Sequence, residues 1–180
     1  MPNAAQILSS TPRYTGRVFS VRTDTIRLDG REQSLDIVEH PGSFAIAAVT
    51  GEGELVLVRQ YRHAAGEPLW EIPAGTAEPD EECEAGARRE LREETGYSAG
   101  SWEQLCIAYP TPGYCTEVVH LYLARNLQAG IQELDDDEAI EVRTVSLEEA
   151  WKMQASGLIV DMKTLLAMLW LRIKDAGPVN

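Results

Sequence analysis

The segment from Gly75 to Tyr97 constrains this chain more than any other. It reads Gly-Thr-Ala-Glu-Pro-Asp-Glu-Glu-Cys-Glu-Ala-Gly-Ala-Arg-Arg-Glu-Leu-Arg-Glu-Glu-Thr-Gly-Tyr. A loop glycine at 75 opens a helical run that Gly96 closes. Glu90, Glu93 and Glu94 stand at offsets 0, 3 and 4. At about 100° per residue these carboxylates fall within an arc of about 100°, one face of a helix. Like charges at that spacing repel, so the face needs a compensating cation. Magnesium or manganese takes carboxylate oxygens, retains water and is completed by phosphate oxygens. The residues alone suggest a carboxylate helix that carries hard metal ions to a phosphorylated substrate.

The remainder bounds the alternatives. A length of 180 residues suits one compact domain able to bury its own core. The first residues lack a basic region followed by a long apolar run and do not read as a signal peptide. The longest apolar stretch, 165–173, is interrupted by Arg172 and too short to span a bilayer, so no membrane partner is expected. Cys83, Cys106 and Cys115 lack metal-ligand spacing and read as reduced thiols of a cytoplasmic protein. The net charge of −13 is unevenly placed: residues 1–62 balance seven Lys+Arg against seven Asp+Glu, whereas residues 63–180 hold nine against twenty-two. Such acidity argues against a nucleic-acid polymer as partner. It leaves a small anionic substrate open, because metal ions invert the local field.

Coarse patterning predicts an α+β chain. Strand-like alternation over 17–28, an Asp29-Gly30 turn and a return over 34–39 form a small amino-terminal antiparallel sheet. His40-Pro41-Gly42 breaks it, dividing residues 1–41 from a main domain of 42–180. Residues 44–50 and 55–61 read as a second hairpin around Gly51-Glu52-Gly53, with further strands at 70–72, 102–109, 117–125 and 140–145. Ser146-Leu147-Glu148-Glu149 is a capping box for one helix, and Asp161 caps a last one through Lys174. The stripe Met162, Leu165, Leu166, Leu169 and Ile173 is read as core packing.

The 75–97 segment resembles the signature of the Nudix hydrolases, Gly-x5-Glu-x7-Arg-Glu-U-x-Glu-Glu-x-Gly-U with U bulky and apolar. Gly75, Glu81, Arg89, Glu90, Leu91, Glu93, Glu94 and Gly96 match, and Tyr97 places an aromatic where the strict pattern has an aliphatic. Three outlying features are similar to the ADP-ribose pyrophosphatases of that family: Val58–Arg62 followed by Glu71–Gly75, the Pro112-Gly113 pair fifteen residues past the box, and the acidic run Asp136-Asp137-Glu138 before a strand. The resemblance implies an α/β/α sandwich with a mixed sheet, and magnesium- or manganese-dependent cleavage of ADP-ribose or a related ADP-sugar to AMP and a sugar phosphate. GDP-mannose is the alternative substrate, and a non-cleaving nucleotide sensor the remote one.

The resemblance also implies the site. Glu90, Glu94 and the Ala74 carbonyl hold two or three metal ions, with Glu93 beside them as a water-mediated ligand or base. Glu138 is expected to act as ligand or general base, with Asp136 as the alternative. Arg62 is expected to reach a phosphate; Thr76, Thr111, Gly113, Asp36 and His40 are further substrate-binding candidates. His63 and His120 are read as structural. A sheet as slight as that of residues 1–41 needs a second surface over its apolar side. Relatives that the resemblance suggests exchange such a segment between two subunits, so the resemblance implies a two-fold homodimer in which Asp36 or His40 completes the substrate pocket.

Overall fold

The computed structural model describes residues 5–134 and 139–176. The chain divides into two compact units. One comprises residues up to Gly42 together with Tyr109–Val119; the other comprises Ser43–Ala108 and the residues from His120 onward.

The first unit is a three-stranded antiparallel sheet in the order β1-β2-β3, built from β1 (Gln6–Thr15), β2 (Ser20–Leu28) and β3 (Arg31–Glu39). Asp29 and Gly30 both take positive φ, 49° and 76°, the two-residue turn whose twist suits a hairpin. The sequence reading lacked β1. Its Ser, Thr and Pro content carries no alternation, and every one of its residues is exposed, so burial left no pattern to read. The 109–119 segment fastens to β3: Val38 N–H donates to the Tyr114 carbonyl at 2.8 Å, and Thr116 N–H to the Val38 carbonyl at 2.9 Å.

The second unit carries β4 (Ser43–Ala48), β5 (Leu55–Arg62), β6 (Glu67–Glu71), β7 (Ala74–Thr76), α1 (Cys83–Thr95), β8 (Tyr97–Ala108), β9 (Val119–Ala129), β10 (Glu141–Val145), α2 (Leu147–Ala155) and α3 (Met162–Ala176). One sheet runs β7-β4-β9-β8 and another β10-β5-β6, an α+β arrangement with a mixed sheet beside the separate small antiparallel one. All six residues of β4 are buried, as in a strand covered on both faces. Phe44, Ile46 and Ala48 join Ala87 and Leu91 of α1 in one core cluster, and α3 also packs on β4.

Two expectations are corrected. Residues 44–50 and 55–61 are not a paired hairpin: only Val49 and Leu55 bridge, after which β4 and β5 enter different sheets. Apart from Ser43, both strands are apolar throughout their buried parts, so composition identifies them as strands but not their partners. The α3 stripe is also not the core face. Met162, Leu169 and Ile173 are each about half exposed, at 48%, 49% and 48%, while Thr164, Ala167, Met168 and Leu171 are buried. This helix is apolar around most of its circumference, and its inward face contains a threonine whose hydroxyl is hydrogen-bonded. Hydrophobicity alone therefore selects the wrong side.

Candidate active site

The helix α1 begins eight residues after Gly75, with Glu82 in extended conformation as N-cap and its carboxylate accepting Ala85 N–H at 2.9 Å. It ends at Gly96, left-handed at φ 75°, where any Cβ would stand 2.9 Å from Gln132 N. Its inward face is Gly86, Ala87, Leu91 and Glu94. A Cβ at Gly86 would come 2.2 Å from the Phe44 ring, so α1 and β4 approach closely because that residue lacks one. Close approach brings the carboxylates of α1 to the β7 strand. Gly75 lies in that strand, opposite Phe44, rather than in a loop.

Glu94 is a charged residue on a core face, 4% exposed. Its carboxylate accepts Ala74 N–H at 2.9 Å, which ties the helix to the strand. The Glu90 carboxylate lies directly on the Gly75 backbone: a Cβ there would fall 1.8 Å from its carboxyl carbon. Arg89 then serves three carboxylates at once. Its Nε and Nη2 donate to both oxygens of Glu81 at 2.9 and 3.1 Å, and its Nη1 lies 2.9 Å from Glu90 and 2.8 Å from Glu93. The hydrogen bond from Arg89 holds Glu81 below the usual carboxylate range despite partial burial. Glu81 matched the motif without a role assigned to it; here it anchors the arginine.

Three carboxylates thus surround one guanidinium and Glu94 adds a fourth on β7, leaving an excess of negative charge. As placed, they are engaged with Arg89 and the Ala74 amide, and among the described residues no three His, Cys, Asp or Glu side chains form a metal-holding group. Their chemistry nevertheless fits a hard divalent cation. The donors are anionic oxygens, two of them seated on β7, and Gly75 keeps clear the space that a side chain would fill.

A second polar network, missed in the sequence, lies upstream of β7. Glu71, with a side chain 3% exposed, receives Arg62 Nε and Nη2 at 2.8 and 3.0 Å and lies 3.4 Å from Lys163 Nζ. Lys163 also pairs with Asp161 at 2.7 Å. Burial pushes the Asp161 carboxyl up, but Lys163 and the Thr164 hydrogen bonds outweigh it and hold the group low. The available signal was Glu71 itself, a carboxylate between Trp70 and Ile72 in an apolar run.

Of the expected substrate residues, Arg62 has two of its nitrogens on Glu71, and Thr76 closes β7 with its side chain exposed. Asp36, His40, Thr111 and Gly113 belong to the other unit, where Asp36 accepts the Thr23 hydroxyl at 2.7 Å and His40 Nδ1 accepts Gly42 N–H at 3.1 Å. Asp136 and Glu138 lie outside the described residues. The three cysteines are free, and no described helix is long and apolar enough to cross a membrane.

A family model for the NUDIX domain matches residues 39–167. The chain belongs to the Nudix family. Nudix hydrolases in general depend on a divalent metal. This Nudix chain is 40% identical over 166 residues to an ADP-ribose pyrophosphatase of Bacillus subtilis, covering 91% of this chain and 90% of the relative. It is 36% identical, with the same coverage, to a methanol dehydrogenase activator of Bacillus methanolicus. A GDP-mannose pyrophosphatase of Yersinia enterocolitica is 38% identical over 67% of this chain and 68% of its own. Among solved structures, an ADP compounds hydrolase superposes with a TM-score of 0.85 at 20% identity, covering 99% of both chains, a likeness of fold.

Proposed function

We propose that this Nudix protein is a pyrophosphatase that hydrolyses the diphosphate bond of ADP-ribose to AMP and ribose 5-phosphate, with magnesium or manganese. The observation that carries the reading is 40% identity across nine-tenths of both chains to an ADP-ribose pyrophosphatase, in a chain that keeps every glutamate of the motif. A non-cleaving sensor is disfavoured for the same reason.

Two or three divalent ions, when bound, supply polarisation of the phosphoryl oxygens and acidification of the attacking water. Glu90, Glu94 and the Ala74 carbonyl hold them. Arg89 fixes the rotamers of Glu90 and Glu93, while Glu81 fixes Arg89. Glu138 takes the proton of the attacking water or completes the ligand set; Asp136 is the alternative, and Glu93 the candidate if neither serves. Arg62, Thr76, Thr111, Gly113, Asp36 and His40 bind the substrate. The protein is cytoplasmic and a homodimer through its amino-terminal sheet. Support for the dimer comes from β1, an edge strand with Ile7 and Tyr14 exposed at 62% and 56%.

Phosphate-coupled turnover of ADP-ribose, ADP-glucose, GDP-mannose, diadenosine polyphosphates and NADH, with magnesium and with manganese, tests the reading. ADP-ribose is expected to give the highest kcat/KM. Preference for GDP-mannose would move the assignment to the Yersinia relative's activity, and binding without turnover would make the protein a sensor.

A further inference from the structure

Residues 71–75 are held one after another. Glu71 is bound by Arg62 and Lys163, and Ile72 N–H donates to the Thr164 hydroxyl at 2.8 Å. The Pro73 carbonyl accepts Ile46 N–H at 2.9 Å, Ala74 N–H donates to Glu94, and Gly75 carries the Glu90 carboxylate. The first two of these anchors involve α3, more than 85 positions away in sequence and without a part in the motif. Thr164 is fully buried, the polar exception on the inward face of α3. Its hydroxyl donates to Asp161 Oδ2 at 2.7 Å, which leaves the oxygen oriented to accept Ile72 N–H. Asp161 accepts the Thr164 amide at 2.9 Å as well, so one carboxylate caps α3 and aims the hydroxyl.

A buried hydroxyl between a carboxylate and a backbone amide sets the position of that amide more tightly than apolar packing does. Ile72 stands two residues before Ala74, a distance over which an extended backbone transmits a displacement with little loss. We infer that Thr164, oriented by Asp161, is a positioning residue for the metal-holding strand. Through Ile72 it sets where the Ala74 carbonyl and the Gly75 seat of Glu90 stand. The inference rests on the reading of Ala74, Glu90 and Glu94 as metal holders. Outer-shell partners of metal ligands typically change affinity by about 10–100-fold when removed.

The test uses the full chain as wild type, Thr164→Val, Thr164→Ser and Glu94→Gln. Mn2+ binding is followed by electron spin resonance, amide hydrogen exchange over 71–76 is measured in metal-free protein, and Tm is recorded. Thr164→Val keeps shape and removes the hydroxyl. It is expected to weaken Mn2+ about tenfold and to speed exchange at Ile72 and Ala74. Thr164→Ser loses a methyl and keeps the hydroxyl; its Tm falls, but Mn2+ affinity and exchange stay near wild type. A purely structural role predicts instead that metal affinity follows Tm in both variants, whichever atom is lost. Folded Thr164→Val with wild-type Mn2+ affinity and exchange overturns the inference. If that variant fails to fold, Asp161→Asn replaces it, since the hydroxyl then loses its charged acceptor, and unchanged Mn2+ affinity there overturns the inference equally. Glu94→Gln separates the two levels. Undiminished Mn2+ binding in that variant overturns the metal reading, while the exchange data still decide the role of Thr164.

Discussion

Two strands of this protein are opposites. In β7 and the residues leading to it, each position from 71 to 75 has a partner supplied by the same chain, and the side chains that hold them are charged except for Thr164. In β1 the strand pairs along one edge with β2, its register broken at Leu8 and Arg13, the other edge is open among the described residues, and the exposed side chains include Ile7, Leu8 and Tyr14. The first strand is finished within one chain and holds carboxylates where repulsion would otherwise scatter them. The second is unfinished. Full burial of a Leu, Ile or Phe side chain contributes about 1.5–3 kcal/mol. A three-stranded sheet showing several of them gains by meeting another surface, and an open strand edge invites one. The comparison teaches that the carboxylate framework is tied together within one unit, while the other leaves apolar side chains and a strand edge without a partner among the described residues.

The largest effect should come from opening the finished strand. Glu94→Gln leaves a hydrogen-bond acceptor for Ala74 N–H but removes the charge. Its kcat is expected to fall by more than the about 10–100-fold typical of outer-shell changes, with Tm nearly unchanged. Near-normal kcat at saturating magnesium would eliminate Glu94 as a ligand. Gly75→Ala attacks the same place sterically, since the new Cβ would overlap the Glu90 carboxylate. It is expected to cost activity by about tenfold or more, and stability as well.

Next in size is the open strand. Removing residues 1–41 takes away the exposed apolar sheet and, on the proposed reading, the dimer. Light scattering should show the mass of a single shortened chain, or aggregation, with ADP-ribose affinity reduced although the carboxylate helix is intact. A wild-type protein that is monomeric and fully active would end the dimer proposal. For the general base, Glu138→Gln should lower kcat with little change in the magnesium requirement if Glu138 takes the proton, and should raise the magnesium needed for half-activity if it is a ligand. Asp136→Asn is the comparison, and full activity in both would return the role to Glu93.

The same contrast explains what the sequence disclosed. Local signals were legible: the α1 carboxylates, Gly96 as its C-cap, the Asp29-Gly30 turn, the Ser146 cap and the Asp161 cap are each set by a few neighbouring residues. Partners distant in sequence were not. That β4 and β5 part company, that Arg62 lies on Glu71, and that Thr164 reaches Ile72 depend on long-range packing, and no single residue type encodes them. Within α3 the failure has a further cause: two stripes of similar hydrophobicity compete, and the buried one is marked by its bonded threonine.

A smaller effect lies in pH. The Arg89 hydrogen bond lowers the Glu81 carboxyl in the folded protein relative to the unfolded chain. Its stabilisation is therefore complete above the ordinary glutamate range and is lost as pH falls through the lowered folded value, because the unfolded state binds the proton first. Urea unfolding at successively lower pH, from about 5 to 3, should show wild-type stability declining more steeply than that of Glu81→Gln. Parallel slopes would mean that Arg89 does not hold Glu81 in solution.

The smallest effect is expected on the outer stripe of α3, which a buried neighbour on the same helix sets in contrast. Met168 is fully buried, so Met168→Ala should leave a cavity and cost about 2–5 kcal/mol in urea unfolding. Ile173 and Leu169 are half exposed, and Ile173→Gln or Leu169→Gln should stay within about 0.5 kcal/mol. The asymmetry discriminates because the residues share one helix and differ only in the direction they face. Equal costs on both sides would mean that the outer stripe is covered in solution, and α3 would then join β1 as a surface awaiting a partner. Dilution would decide between the two cases, since a cost that arises from assembly fades with protein concentration, whereas the cavity cost of Met168→Ala does not.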